Sequence, residues 1–330
     1  MKSQLDKQNK PEDKTLFQSS PSQIDSLTET VRCPVCSSTD YRVVRKARYP
    51  SDLNKDKLLK IYHSSSDSSL WDQLVTCKDC ELTYLNPRIK ESLAYESYSN
   101  AEDDRFAAQN EYRIATFKKS LKKVLSHSGK EAKGLRVLDI GSAAGAFLKA
   151  AKDLGCDAVG VEPSRWMCEW GKKHYGVDLR PGTLSDQNFE EGSFDVITLW
   201  DVLEHLYHPE DELKRCAKLL KKDGVLVVNY PDYGSYARKI LSEKWPFFLN
   251  VHLLYFTNKS LKKLLAKCGF ELVETSPYWQ TLSFGYVCER AGQYLPFFNG
   301  IKKVSEKVRL SRLPLNYQMG QSLALARRIS

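Results

Sequence analysis

The sequence lacks several features that define large classes of proteins. None of its apolar runs approaches the roughly 18 residues that a membrane-spanning helix needs. The opening segment, MKSQLDKQNK, has neither an apolar core nor a small-residue cleavage site, so we expect no secretory signal and a cytoplasmic protein. With 42% hydrophobic and 28% charged residues among 330, the composition also argues against collagen-like and wholly disordered chains. These absences favour a soluble globular protein of one large or two modest domains.

Two familiar nucleotide-binding motifs are also missing. The segment RVLDIGSAAGAFL spaces Gly141 and Gly145 as GxxxG, which is neither the GxGxxG of dinucleotide sites nor the GxxxxGK of phosphate loops. This spacing argues against NAD and ATP as the bound ligand. A buried strand that leads into a small-residue turn and a helix still presents backbone N–H groups to a nucleoside-bearing ligand. Glu162, at the end of the next predicted strand, lies where an acidic side chain can accept both ribose hydroxyls.

The charged residues and cysteines carry further information. Lys and Arg outnumber Asp and Glu by 50 to 41, and a net charge of +9 favours contact with phosphates or an anionic membrane without requiring either. Four of the nine cysteines form two CxxC pairs, Cys33 with Cys36 and Cys77 with Cys80. Four thiolates can complete a closed structural zinc site. Unrelated core cysteines and a redox CxxC are the alternatives, and neither pair opens a helix after a strand as a redox pair would.

Composition divides the chain into four segments. The composition of residues 1–30 predicts a disordered tail, because this segment has few large apolar residues. Residues 31–89 predict a zinc-binding module resembling a zinc ribbon, and residues 90–130 a helical connector. Residues 131–330 predict an α/β domain, because short apolar runs alternate there with amphipathic stretches. The predicted strands are residues 136–140, 158–161, 195–200, 225–229, 271–276 and 322–326.

Two helices of this domain are well marked. Pro209 is tolerated in a first helical turn, Lys221 and Lys222 would complement the negative helix end, and Gly224 would terminate that helix. A second helix is predicted from about residue 258 to residue 268, with Gly269 as its terminating residue.

Four motifs resemble those of class I S-adenosylmethionine-dependent methyltransferases. In chain order they are VLDIGSAAGAFL, VGVEPS, FDVITLWDVLEHL and GVLVVNYPD. With CPVC, CKDCELTYLNPR and HLLYFTNKSLKKLLAKCGF, the chain resembles a bacterial subgroup with an N-terminal zinc-binding segment, often associated with sugar, glycan or natural-product tailoring. The resemblance implies a doubly wound, Rossmann-like and mostly parallel sheet with an antiparallel last strand. It also implies that the cofactor is S-adenosylmethionine and that it binds over the carboxyl ends of the first strands of the sheet.

Cofactor-binding residues follow from the same resemblance. Glu162 would hold the ribose, Leu184 or Asp186 would contact the adenine, and Asp201 would lie near the methionine end. Family members often have glycine where this chain has Ala143. The full set implied by the resemblance is Asp139, Gly141, Ser142, Gly145, Glu162, Leu184, Asp186 and Asp201.

Catalytic candidates follow the predicted strand of residues 195–200. Their spacing would place Asp201 beside Glu204 and His205 on one helical face. His205 is the first candidate for a general base, which is needed only if the acceptor loses a proton. Its alternative role is a packed histidine at a helix start. With His252, the set also resembles the metal ligands of some ubiquinone-pathway and small-RNA methyltransferases, which would suit Mg²⁺ or Mn²⁺.

The acceptor suggested by the subgroup is a small molecule, a sugar or a glycan. The alternative is an RNA or protein methyltransferase whose zinc module and basic surface hold a macromolecule. The sequence disfavours nucleic acid, because LWDVLEH lacks the Asn/Asp-Pro-Pro-aromatic motif and no Pro-Cys motif occurs in a strand-end loop. A binding module without catalysis ranks last, since Glu162 and both glycines are present.

Residues 282–312 mix apolar side chains with Arg and Lys and are interrupted by glycine and proline. Such a segment can rest on a membrane surface that bears a lipid-linked substrate. The alternative is an insertion that caps the acceptor pocket.

Overall fold

The computed structural model describes residues 26–49, 54–57, 70–99, 104–292, 295 and 297–329. The tail predicted over residues 1–30 therefore lies outside the described residues as far as residue 25. Among the helices of the described ranges, none combines the length and apolar character needed to cross a bilayer.

The strands follow one another along the whole described chain. In chain order they are β1 (Thr28–Glu29), β2 (Tyr41–Arg45), β3 (Leu74–Cys77), β4 (Thr83–Leu85), β5 (Arg88–Ile89), β6 (Arg136–Ile140), β7 (Asp157–Glu162), β8 (Asp178–Pro181), β9 (Phe194–Trp200), β10 (Leu220–Pro231), β11 (Leu254–Tyr255), β12 (Phe270–Pro277), β13 (Gln280–Ser283), β14 (Pro314–Tyr317) and β15 (Gln321–Arg328).

The first helix that lies wholly within the described residues is in the predicted connector, and short helical stretches at residues 26–27 and 55–57 precede it. In chain order they are α1 (Glu91–Ser99), α2 (Asp104–Ala107), α3 (Asn110–Ser128), α4 (Ala146–Asp153), α5 (Arg165–Tyr175), α6 (Pro209–Leu219), α7 (Tyr236–Leu241), α8 (Asn258–Lys267), α9 (Phe284–Gly292) and α10 (Phe297–Lys307). Short 3-10 turns occur at Leu184–Asp186, Leu203–His205 and Ser242–Lys244.

A seven-stranded sheet, as the described residues define it, forms the centre of the fold. Its strand order is β12-β15-β10-β9-β6-β7-β8. Strands β6 to β10 run parallel, whereas β15 is antiparallel to both of its neighbours. The β6 and β9 strands are almost wholly buried, as expected when helices cover both faces of a sheet. The predicted α/β class, the doubly wound sheet and the antiparallel last strand are confirmed.

One predicted boundary is wrong. The helix that begins at Pro209 ends at Leu219, and Lys221, Lys222 and Gly224 belong to β10 instead of to the helix end. Leu220 pairs with Phe194 of β9, and the Lys221 ammonium lies 2.8 Å from the Asp195 carboxylate. These long-range contacts override the local helix signals. The second predicted helix is confirmed as α8, and Gly269 after it has a φ of +84°.

A smaller sheet holds the two cysteine pairs. Its order is β11-β4-β3-β2, and the edge strand β11 comes from the C-terminal part of the chain, with Leu254 opposite Tyr84. Lys267 of α8 also donates to the Val35 carbonyl at 3.2 Å. The cysteine-bearing segment is therefore packed onto the α/β unit. The four segment boundaries derived from composition stay predictions.

Candidate functional site

The glycine-rich turn follows β6 and leads into α4. Gly141 and Gly145 have φ values of +67° and +77°, and Ala143 between them has +46°. The Gly145 N–H donates to the Ser142 carbonyl at 2.9 Å, and the Ser142 hydroxyl donates to the Asp139 carbonyl at 2.9 Å. A Cβ at Gly141 would lie 2.5 Å from a methyl group of Val202, so glycine is required there for space and for backbone conformation.

Glu162 lies at the carboxyl end of β7 and is fully buried against this turn. One carboxylate oxygen accepts the Ala143 N–H at 2.9 Å, and the other accepts the Ser164 N–H at 2.9 Å. Burial raises the pKa of Glu162 to about 7, although these two bonds and a hydrogen bond with the Tyr98 side chain oppose that rise. The structure thus joins the predicted turn and the predicted acid. Tyr98, on α1, carries no sequence signal that would have placed it here.

Asp139 lies on β6 below the turn and is buried. Its carboxylate accepts the Thr198 hydroxyl of β9 at 2.5 Å. Burial raises the pKa of Asp139 to about 7, against the hydrogen bonds from Thr198 and Ser142. Asp139 therefore braces the carboxyl ends of two adjacent central strands.

Leu184 and Asp186, the predicted adenine contacts, lie in the 3-10 turn after β8. Leu184 is buried in the core, and the Asp186 carboxylate accepts the N–H of Thr183 at 2.7 Å. The Gly182 N–H donates to the Glu162 carbonyl at 3.0 Å, which places this turn next to the end of β7. Their role as adenine contacts stays a prediction.

Asp201 directly follows β9 and faces a small cleft of mixed charge. Its φ is +56°, and it precedes a 3-10 turn instead of lying on a helix, so the predicted shared helical face with Glu204 and His205 is wrong. The Gln321 side chain donates to the Asp201 carboxylate. Burial raises the pKa of Asp201 to about 6, opposed by the charge of Arg113. The cleft is lined by Arg113, Thr116, Phe117, Asp201, Tyr278, Gln280 and Thr281.

Arg113 is a cleft residue that sequence reasoning missed. It lies on α3, within the predicted connector, and its guanidinium is 4.3 Å from the ring centroid of Phe106 and 5.4 Å from that of Phe117. Phe106 lies on α2 and Phe117 on α3, so an arginine between two aromatic residues of the predicted helical connector was the available signal. Gln280 and Gln321 offered no such signal.

Glu204, His205 and His252 form a compact cluster whose potential ligand atoms lie within 4.8 Å of one another. The Nδ1 atoms of His205 and His252 lie 2.8 Å from the Val251 carbonyl and 2.9 Å from the Phe247 carbonyl. Because a carbonyl only accepts, each Nδ1 donates and each neutral ring keeps a lone pair on Nε2. Neither carboxylate oxygen of Glu204 has a hydrogen-bond partner among the described residues.

Electrostatics in this cluster follow from burial. Burial lowers the pKa of His205 to about 4 and that of His252 well below its ordinary value. Burial and the nearby Asp201 raise the pKa of Glu204. Two neutral imidazoles beside an unpartnered carboxyl group have the donor chemistry of a cation site. Asp201, the fourth predicted ligand, is not part of this cluster.

The four predicted zinc ligands come together in the smaller sheet. The sulfur atoms of Cys33 and Cys80 are 3.3 Å apart, and those of Cys36 and Cys77 are 3.5 Å apart. The two pairs adopt the same local turn, because the Ser37 N–H bonds to the Cys33 carbonyl and the Glu81 N–H to the Cys77 carbonyl. Ser37 and Glu81 both have positive φ values. Four sulfur atoms on two matching turns fit a tetrahedral structural zinc.

Comparison with known proteins identifies a matching family and similar solved structures. A family model described as a methyltransferase domain matches residues 106–275. A solved S-adenosylmethionine-dependent methyltransferase from Thermotoga maritima, described as a possible histamine N-methyltransferase, is 21% identical, with a TM-score of 0.46 over 68% of this chain and 93% of that one. A second, from Archaeoglobus fulgidus, is 18% identical, with a TM-score of 0.47 over 68% of this chain and 100% of that one.

Curated relatives match a shorter stretch. A ubiquinone biosynthesis O-methyltransferase from Bradyrhizobium diazoefficiens is 37% identical over 101 residues, which cover 29% of this chain and 40% of that protein. One from Rhodopseudomonas palustris strain HaA2 is 34% identical over 100 residues, covering 29% of this chain and 39% of that protein. The chain thus spans about two fifths of the length of these relatives.

The sheet order and the glycine-rich turn define a class I S-adenosylmethionine-dependent methyltransferase fold. Since the family match covers more than half of its residues, the chain belongs to the methyltransferase domain family. The resemblance seen in the four sequence motifs is confirmed.

Proposed function

We propose that this chain transfers a methyl group from S-adenosylmethionine to a small-molecule, sugar or glycan acceptor. The observation that carries the proposal is the pairing of the Glu162 carboxylate with the Ala143 N–H inside the glycine-rich turn. The names of the curated relatives support an acceptor hydroxyl as the methylated group.

The residues at the turn fit the cofactor. S-adenosylmethionine supplies an activated methyl group on a sulfonium, so the protein mainly has to hold and align its partners. Each Glu162 oxygen accepts one backbone N–H, and the carboxylate also has a hydrogen bond with the Tyr98 side chain. Of its roughly four lone-pair positions, one remains for a ribose hydroxyl, and a second would become free if the cofactor displaced Tyr98. Gly141 keeps the turn free of a side chain that would collide with Val202.

The charged groups of the cleft that Asp201 faces match those of the amino-acid end of the cofactor. Asp201 and Arg113 supply opposite charges there, which would pair with an ammonium and a carboxylate. Gln321 donates to Asp201 and so orients its carboxylate. The aromatic faces of Phe106 and Phe117 hold the Arg113 guanidinium in place.

His205 is the proposed proton acceptor. Its Nδ1 donates to the Val251 carbonyl, which leaves Nε2 unprotonated and able to accept a proton from an acceptor hydroxyl. Burial lowers its pKa to about 4, so the imidazole is neutral near pH 7.

A divalent cation at Glu204, His205 and His252 is a second candidate, favoured by the two unpartnered Glu204 oxygens. It would exclude the proton-acceptor role, because His205 Nε2 would be a ligand. Two imidazoles and one carboxylate suit Mn²⁺ better than Mg²⁺, which prefers oxygen ligands.

Electron paramagnetic resonance titration with Mn²⁺ tests this candidate. Mn²⁺ binding should be lost in the His252→Gln variant. It should be retained in His208→Gln, which replaces an exposed histidine outside the cluster. If all the Mn²⁺ stays free in the titration of wild type, the divalent-cation candidate is refuted.

Calorimetric titration with S-adenosylhomocysteine tests the main proposal. Glu162→Ala should weaken binding by about 1 to 3 kcal/mol, the scale of a lost hydrogen bond to a charged group. Asp195→Asn is the matched control, since this buried acid lies near the opposite end of β9 and should leave affinity unchanged. Folded wild-type protein that binds no S-adenosylhomocysteine would refute the proposal, as would binding of NAD in its place.

A further inference from the structure

Exposed apolar side chains are concentrated in one segment of the molecule. Of the fifteen large apolar residues that are exposed in the described ranges, seven lie between residues 295 and 313. Their side chains are between 36% and 60% exposed. A concentration of exposed apolar side chains in one segment indicates an interaction site. The seven residues, called here the apolar face, are Leu295, Phe297, Ile301, Val304, Val308, Leu310 and Leu313.

Helical geometry aligns the centre of the apolar face. Phe297, Ile301 and Val304 are spaced by four and three residues along α10, and Val308 follows after four more, so they share one stripe. The Val308 N–H still donates to the Val304 carbonyl, which continues the helical turn. Ser305, on another side of α10, is buried against the protein. The helix therefore packs by one side and leaves its apolar stripe outside.

Cations border this stripe. Lys303 and Lys307 lie along one flank of α10, and Arg309 and Arg312 follow in the next turns; all four are exposed. Lys302, by contrast, pairs with Glu289 at 2.7 Å and with Glu306 at 3.8 Å. An exposed apolar stripe with a basic flank matches the chemistry of an anionic lipid surface, where the apolar groups enter the interface and the cations meet headgroups.

The apolar face is anchored to the wall of the cleft. Helices α9 and α10 lie between β13 and β14, which pair with each other. The Phe284 N–H donates to the Leu313 carbonyl at 2.8 Å, and the Gly285 N–H to the Ser311 carbonyl at 2.8 Å. Gln280 of the same β13 lines the cleft with Asp201. A surface bound at α10 would thus be connected through β13 to the cleft that contains Asp201 and Arg113.

We propose that the apolar face docks this protein on the headgroup region of an anionic lipid bilayer. A second copy of the chain is the less favourable occupant, because a two-fold contact would bring the basic flanks of both copies together. Docking on a bilayer brings the same cations against negative charge. The inference is independent of the proposed methyl transfer.

Vesicle co-sedimentation tests the docking. Full-length protein is mixed with phosphatidylcholine vesicles or with vesicles that also contain phosphatidylglycerol. Wild type should sediment with the anionic vesicles, and added salt should release it. Val304→Glu with Val308→Glu should lower the partition coefficient about tenfold or more, since two charges enter the apolar stripe. Lys303→Glu with Lys307→Glu should abolish the preference for phosphatidylglycerol.

The matched control is Tyr236→Glu with Ile240→Glu. These two residues are also four apart on a helix, α7, and are 83% and 81% exposed. The control should bind vesicles like wild type, and circular dichroism melts should show that all variants fold. Absence of wild-type sedimentation with anionic vesicles would refute the docking, as would loss confined to the control variant. A third outcome is that wild type binds no lipid but self-associates, and that the double variant Val304→Glu with Val308→Glu does not self-associate. This outcome would show that the apolar face binds a second copy of the chain.

Discussion

At the scale of single residues, Ala143 adopts a left-handed backbone conformation, with a φ of +46°, in the turn that also presents its N–H to Glu162. This conformation costs an L-residue roughly 1 to 2 kcal/mol relative to glycine. The chain bears that cost next to the proposed cofactor site, where strained residues commonly accumulate.

Replacing Ala143 with glycine should therefore stabilise the protein. We expect Ala143→Gly to raise the free energy of unfolding by about 0.5 to 1 kcal/mol in urea denaturation, after the greater chain entropy of glycine is subtracted. Ala150→Gly in α4 is the control and should lower it by about 1 kcal/mol or more, since that residue is helical and buried. A destabilised Ala143→Gly variant would contradict this account.

The ionisation of Asp195 makes the free energy of unfolding depend on pH. Burial would raise the pKa of its carboxyl group, but hydrogen bonds from Lys221, the Arg136 N–H and Lys130 outweigh burial and lower it. A lowered pKa in the folded state contributes stability that is present above the unfolded value of about 4 and is lost as pH falls through the folded value.

Asp195→Asn should consequently destabilise the protein in a pH-dependent way. At pH 7 the free energy of unfolding should fall by roughly 1 to 2 kcal/mol, because Lys221 and Lys130 lose a charged acceptor. Urea denaturation at a series of pH values should show this difference shrinking below about pH 4. A difference that is constant over the whole range would rule out the charge as its cause.

Residues differ in how far the sequence could predict them. Glu162 and the turn were predictable, because a strand, a turn and the next strand end are close along the chain. Arg113 approaches Asp201 only through packing of α3 on the central sheet, and Gln321 only because β15 joins that sheet beside β10. No local pattern encodes such an approach, so the sequence alone could not predict the cleft.

At the scale of elements, the two cysteine turns are copies of one geometry, with matching hydrogen bonds and matching positive φ values. Three of the four cysteines are buried, but Cys36 is exposed. Without a metal, a polar substitution at an exposed cysteine should cost little. With a metal, the same substitution removes a ligand and part of the folding free energy that the ion supplies.

Cys36→Ser should therefore lose the zinc. We expect about one zinc ion per wild-type chain by plasma mass spectrometry, much less in Cys36→Ser, and a lower thermal midpoint for that variant. Cys288→Ser changes a buried cysteine outside the two turns and should retain its zinc. Equal zinc contents in the two variants would argue against a four-cysteine site.

Element boundaries show where local signals fail. The residues after Leu219 have the composition of a helix end, yet they enter β10 because Leu220 pairs with Phe194 and Lys221 reaches Asp195. The β8 strand and the small sheets were also not predicted in the sequence. Short strands with little alternation gain their stability from neighbours that are remote in the chain.

At the scale of the whole molecule, the cysteine-bearing sheet and the α/β unit share a strand pairing. Leu254 pairs with Tyr84, the Leu85 N–H donates to the Leu253 carbonyl at 2.9 Å, and the Leu253 N–H donates to the Glu204 carbonyl at 2.8 Å. This chain of bonds runs from the cysteine turns to the Glu204 cluster. If the four cysteines hold the predicted zinc, its loss should therefore destabilise the Glu204 cluster as well.

Hydrogen exchange measured by mass spectrometry can follow this coupling. In Cys36→Ser, the amides of Leu85 and Leu253 should exchange about tenfold faster or more, since their sheet loses its support. Amides of Val137 and Val196 in the central sheet should keep their protection. Acceleration of all four alike would indicate global destabilisation instead of local coupling.

The pairing of β4 with β11 also sets an order of events during synthesis. The cysteine turns leave the ribosome well before Leu254 does, because translation proceeds from the N-terminus. Until then, the β4 edge next to Tyr84 has no partner strand, and unpaired edges invite association with other chains. Metal capture by the nascent cysteines would hold the early strands together during that interval, so zinc supply should influence the yield of folded protein.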